Sequence, residues 1–141
     1  MDIKELIPQR EPFLFIREVQ EITENTISAS MTFTEDMEFF KGHFPENPIV
    51  PGVLLTEHCF QTGAALISSK STGDFQGKLA VVSRINSAKF KNIVRPNELI
   101  TTTTEITEEI ANAAFFRSIV KNTQGKKVLT IEFACTLIDK E

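Results

Sequence analysis

Four residues between positions 42 and 61 have the types and spacing for acid–base chemistry at a carbonyl compound: His43, Gly52, Glu57 and Gln61. Glu57 falls in the second turn of "VLLTEHCFQTGAALISS", a run apolar in nearly every direction of the helical wheel, and desolvation there raises a carboxyl pKa. An un-ionised side-chain acid is the expected result. Gln61 follows one helical turn later on the same face, where its amide can orient the carboxyl. His43 stands at the mouth of a segment with prolines at 45, 48 and 51; these fix φ and remove three backbone donors, so an extended, stiff loop is predicted. Gly52 lies at the expected helix start, where an N–H can approach a ligand with no Cβ in the way. Together the set offers a base, an oxyanion donor and an acid. A carbonyl held at the Gly52 N–H would have an acidified α-carbon; His43 could take the α-proton while neutral Glu57 protonates a departing β-hydroxyl. Water and a trans-2-enoyl compound would result. Each residue also has a structural reading: Glu57 paired with an arginine or reaching solvent, and His43 as a hydrogen-bonded structural histidine.

The elements that must hold these groups can be read from periodicity. A helix is predicted from Pro51–Gly52 through Ser69; its apolar residues point all round, which predicts a central helix enclosed by protein. His58 projects about 100° away from Glu57 and is expected in core or interface packing. Gly63, Ala64 and Ala65 would allow close approach of another element, either the covering sheet or a second copy of the helix. Before the loop, "FLFIREVQEI" and "TISASMTFTE" read as two strands joined by "TEN"; after the helix, four stretches from Lys78 onward change to period two. Turns are expected at "RPNE" and at "NTQGK", where Asn and Gly suit positive φ. One helix with about six antiparallel strands is an α+β layout in a single domain over residues 1–141, with a curved sheet wrapping the helix.

Composition narrows the function classes. All 12 aromatic residues are Phe, so aromatic surface comes without a polar handle and suits a core or a greasy channel. The net charge of −4 gives no general attraction to nucleic acid. No stretch approaches the ~20 apolar residues of a membrane span, and the charged "MDIKELIPQR" does not read as a signal peptide, so a cytoplasmic protein is expected. Cys59 and Cys135 sit in apolar runs without metal-ligand spacing and read as buried free thiols. In "SAKFKN", Lys89 and Lys91 share a strand face opposite Phe90; with Arg95 they form either a solvated face or a basic rim for an acidic partner.

The segment "GHFPENPIVPGVLLTEHCFQTG" closely resembles the signature of the bacterial β-hydroxyacyl-acyl-carrier-protein dehydratases, with its His, prolines, Gly, acidic residue and Gln in order and spacing. "LIPQREPFLFIREV" and "INSAKFKNIVRPNEL" extend the resemblance over nearly the whole chain. It implies a hot-dog fold and a homodimer with shared active sites, with hexamers as a further assembly. It also implies dehydration of (3R)-hydroxyacyl-acyl-carrier-protein to the trans-2-enoyl product without isomerisation. His43 would then be the base, and Glu57 the acid, reaching in from the partner subunit. Gly52 would bind the thioester carbonyl, Gln61 would support Glu57, and Phe44 and Val53 would contact the substrate. Lys89, Lys91 and Arg95 would meet the acidic carrier protein and its phosphopantetheine arm, and no metal or diffusible cofactor is implied. Gln9 and Glu11 stand where that family usually has His and Tyr; Arg17–Glu18 replaces an Asp–Arg pair, and Glu46 and Asn97 each replace a Gly. Two other readings share the fold: a thioesterase attacking the thioester carbon, and a non-catalytic acyl-thioester-binding module, which would need neither His43 nor Glu57.

Overall fold

A computed structural model describes residues 2–70 and 78–139. After a short 3₁₀ turn (Ile3–Glu5), strands β1 (Glu18–Ile22) and β2 (Thr26–Thr32) form a hairpin. A second 3₁₀ turn (Glu38–Lys41) and the proline loop then lead into the helix α1 (Gly52–Lys70). Four long strands complete the sheet: β3 (Lys78–Phe90), β4 (Leu99–Ile110), β5 (Ala113–Asn122) and β6 (Lys127–Asp139). The order across the six-stranded antiparallel sheet is β1-β2-β4-β5-β6-β3, so β1 and β3 are its edges.

The predicted turn residues act as their chemistry suggests. Asn97 takes φ 69° in the β3–β4 connection and Gly125 takes φ 77° between β5 and β6, where the Asn122 side chain also accepts from the N–H groups of Gln124 and Lys126. Alternation on β4 buries Ile100, Thr102 and Thr104 toward the helix and leaves Leu99, Thr101 and Thr103 outside. The inner face joins Phe33, Phe116, Phe133, Ile131 and Leu129 into one core under α1. Phe116 and Phe133 stack with ring centroids 5.1 Å apart. A Cβ added at Gly63 would lie 3.1 Å from the Phe133 ring and 3.4 Å from that of Phe116, so the close approach at this glycine is made by the chain's own sheet.

Two expectations are corrected. The first strand does not begin at Phe13: Gln61 accepts from the Phe15 N–H (2.8 Å) and donates to the Phe13 carbonyl (2.9 Å), while His58 Nδ1–H donates to the Phe15 carbonyl (2.6 Å). Helix side chains thus occupy the groups a strand ladder would need, and pairing starts only at Glu18. Nor is α1 enclosed on every side within the chain. Leu55, Cys59, Ala65 and Leu66 are buried, but Val53 is 74% exposed, and Leu54, Glu57, Phe60 and Ala64 are only partly covered, because the sheet packs against one side of the helix. Among the described residues no helix is long and apolar enough to cross a membrane.

His58 is fully buried and carries no charge. Its Nε2 accepts from the Thr102 hydroxyl at 2.7 Å, and burial pushes its pKa down to about 4. Above pH ~6.5 this imidazole is neutral in both folded and unfolded chains; as pH falls from there towards about 4, only the unfolded chain takes up the proton, and stability is lost. Glu57, whose pKa is raised, acts in the opposite direction, so the measurement belongs in a Glu57→Gln background. Urea unfolding of that variant is expected to show a loss of roughly 2 kcal/mol between pH 7 and pH 5. Constant stability over that interval would mean that His58 is not held neutral.

Candidate active site

The loop that carries His43 is braced at several points. His43 Nδ1 lies 2.9 Å from the Ile49 carbonyl, and the Ile49 N–H returns a bond to the His43 carbonyl at 3.1 Å. A carbonyl can only accept, so Nδ1 carries the hydrogen and Nε2 presents its lone pair, the form a general base requires. The Val50 N–H donates to the Val94 carbonyl (2.8 Å), and Arg95 Nη1 donates to Asn47 Oδ1 (2.6 Å), fastening the loop to the β3–β4 connection. The His43–Phe44 peptide is cis, and the Phe44 ring stacks on the imidazole with centroids 4.3 Å apart. His43 itself is half-buried and Phe44 is exposed.

Gly52 opens α1, so its N–H has no intrahelical acceptor. The Phe90 ring lies across it: a Cβ at this position would stand 3.0 Å from a ring carbon. Any larger residue would press on the Phe90 ring. Val53, next along, points largely to solvent.

Glu57 lines a cavity of about 380 Å³ between the N-terminal segment, α1, β3 and β6, with walls formed by Phe13, Phe60, Ala64, Val81 and Val82. Gln61 Nε2 donates to Glu57 Oε2 at 3.0 Å. Burial raises the Glu57 pKa, and the Gln61 bond offsets this only in part, so the carboxyl is biased toward its un-ionised form. Cys135 shares the cavity; its thiol is pushed up to about 12, by burial first and then by the neighbouring Glu57 charge. Cys59, also free and fully buried, is pushed up to about 12 by burial. Neither is a nucleophile at neutral pH.

Within one chain, Glu57 and Gln61 are brought together, as are His43 and Phe44; His43, Phe44, Gly52 and Val53 are not among the residues lining the Glu57 cavity. Lys89 and Lys91 are exposed, Lys89 beside Arg117 in a groove formed by β3, β5 and β6. Arg95 is exposed too, but one of its nitrogens is engaged in holding the loop. The cavity walls were not foreseen from the sequence, because Phe13, Val81 and Val82 come from segments far apart in the chain. Gln9 was also missed as a cavity residue, although its difference from the resembled family marked it.

One helix against a six-stranded antiparallel sheet, with an acid set in an apolar recess on that helix, defines a hot-dog-fold protein. Among solved structures, the fold matches the dehydratase heterocomplex ApeI:P from Xenorhabdus doucetiae with a TM-score of 0.84 over 99% of this chain and 93% of the other, at 11% identity. It also matches a hypothetical thioesterase with coenzyme A from Streptococcus pneumoniae, at TM-score 0.65 and 14% identity over 88% and 87% of the two chains. Residues 19–131 match the family model described as ApeI-like, ApeI dehydratase. The 3-hydroxyacyl-(acyl-carrier-protein) dehydratase FabZ of Lactococcus lactis is 41% identical over 94% of this chain and 85% of its own length; that of Ligilactobacillus salivarius is 39% identical over 93% and 92%. The chain belongs to the ApeI-like dehydratase family, with the FabZ enzymes among its relatives.

Proposed function

We propose that this protein removes water from (3R)-hydroxyacyl thioesters carried on acyl carrier protein, giving the trans-2-enoyl thioester. Glu57 carries the proposal: it is a carboxyl held toward its neutral form by burial, in a cavity whose walls suit an alkyl chain, and aimed by Gln61. A neutral acid can protonate a leaving hydroxyl, which a carboxylate cannot. In the reaction the Gly52 N–H binds the thioester carbonyl and stabilises the enolate oxygen, and His43 Nε2 takes the α-proton. The electron pair closes the α,β double bond as the β-oxygen leaves with the Glu57 proton as water. Phe44 and Val53, both exposed in the single chain, are available to contact the substrate.

Because His43 does not line the Glu57 cavity of its own chain, the complete site is assigned to a homodimer in which Glu57 of the partner subunit meets His43. The unpaired edge of β3, 13 residues long with Val81, Val82, Ile85 and Phe90 exposed, supports pairing with a second copy. Assembly of such dimers into hexamers extends the same reading. Lys89, Lys91 and Arg95 offer positive charge to an acidic carrier. Two buried thiols without a disulfide fit a reducing, cytoplasmic setting.

The test is to incubate the purified protein with crotonyl and 3-hydroxybutyryl thioesters of acyl carrier protein, following enoyl absorbance alongside free thiol. Reversible hydration without thiol release is expected. Thiol release would instead indicate a thioesterase, and saturable binding without turnover a binding module.

A further inference from the structure

Among the described buried side-chain polar atoms, Gln9 Oε1 has no hydrogen-bond partner. It belongs to a residue lining the same cavity as Glu57. Its backbone is well held: Arg10 Nη1 donates to the carbonyls of Ile7 and Gln9, both at 2.8 Å, and Arg10 Nη2 to that of Lys4 at 2.9 Å. A buried amide oxygen without a donor costs free energy, so the missing partner has to be identified.

Among the described residues the cavity contains few donors. Its walls on β3 (Ala80, Val81, Val82) and on α1 (Phe60, Ala64) have no side-chain polar atoms. Of the titratable groups around Glu57, His58 is turned to Phe15 and Thr102, Cys59 toward Ser118, and Cys135 supplies only a weak S–H. On Glu57 itself, Oε2 already accepts from Gln61, which leaves Oε1 as the oxygen to carry an acid proton. An un-ionised carboxyl needs an acceptor for that proton, and Gln9 lacks a donor.

We propose that Gln9 Oε1 accepts the acid proton of Glu57, so that two glutamines hold the carboxyl between them, Gln61 donating to one oxygen and Gln9 accepting from the other. Gln9 is then a positioning residue, acting through Glu57: it keeps the proton on the oxygen that faces the cavity until the substrate β-hydroxyl replaces it as acceptor. The inference rests on the role proposed above for Glu57 as the acid.

The experiment replaces Gln9 by Met, which keeps length and removes the acceptor. The fall of kcat/KM at high pH, set by ionisation of Glu57, is expected to move to lower pH by about one unit in Gln9→Met, because loss of the acceptor destabilises the neutral acid. The Glu57 carboxyl, followed by ¹³C NMR and assigned by its absence in Glu57→Gln, should shift in the same direction. In the unmodified protein the Gln9 side-chain amide ¹⁵N signal should titrate together with Glu57, a readout independent of how the variant folds. A Glu57 titration unmoved in folded Gln9→Met, or a Gln9 amide signal indifferent to Glu57, overturns the pairing. Absence of turnover by the unmodified protein would instead reject the dehydratase reading, leaving the NMR titrations to decide the pairing.

Discussion

Glu57→Gln lowers dehydration turnover by at least ~10²-fold, the usual worth of a positioned general acid, with the fold intact. The substitution is close to isosteric, and its amide oxygen can still accept from Gln61 Nε2, so the local geometry at 3.0 Å has no reason to change. What it removes is the transferable proton. The pH profile carries a second signature. Burial raises the Glu57 pKa, so the active un-ionised form persists to higher pH than for an exposed glutamate, and kcat/KM falls as the group ionises. In Glu57→Gln no such limb should remain in the residual activity. Rates near those of the unmodified enzyme, or a residual profile with the same high-pH fall, would remove Glu57 from the mechanism. Circular dichroism and thermal unfolding of the variant separate lost chemistry from lost structure.

How far the site could be read in advance depended on whether the controlling interactions were local. The helix boundary at Gly52, the four long strands from Lys78 and the turns at Asn97 and Gly125 follow from proline placement, period and positive-φ preference, all contained within a few residues. Glu57 and Gln61 were legible for the same reason, since one helical turn separates them. The segment 13–16 was not. Its sequence has strand character, but His58 and Gln61, more than 40 residues away, take its backbone groups, and tertiary hydrogen bonds override local preference. The open side of α1 was also hidden: an all-apolar helix signals burial without specifying whether the cover is the same chain or another copy. Gln9 stood out only as a difference from the resembled family; that its amide oxygen lacks a partner is a property of its three-dimensional surroundings.

His43→Ala is expected to match Glu57→Gln in severity, at least ~10²-fold, since it removes the only imidazole near the loop whose Nε2 is left free as a base. His58, the other histidine of the chain, has both nitrogens engaged in the core and cannot substitute. The two inactive variants then make a sharper test when combined. If each site takes His43 from one subunit and Glu57 from the other, a heterodimer of His43→Ala with Glu57→Gln contains one site lacking both groups and one site retaining both. Unfolding and refolding an equimolar mixture should therefore restore activity to about a quarter of that of the unmodified protein, half the dimers being mixed and half of their sites whole. If both groups came from the same chain, every site in the mixture would lack one of them and activity would stay at the level of the single variants. His43 lies outside the cavity that Glu57 lines, so recovery is the expected outcome. Its absence, with mixed dimers demonstrated by mass spectrometry, would move the site back within a single chain and require the loop from His43 to Pro51 to close over Glu57 by a rearrangement that its bonds to Val94 and Arg95 oppose.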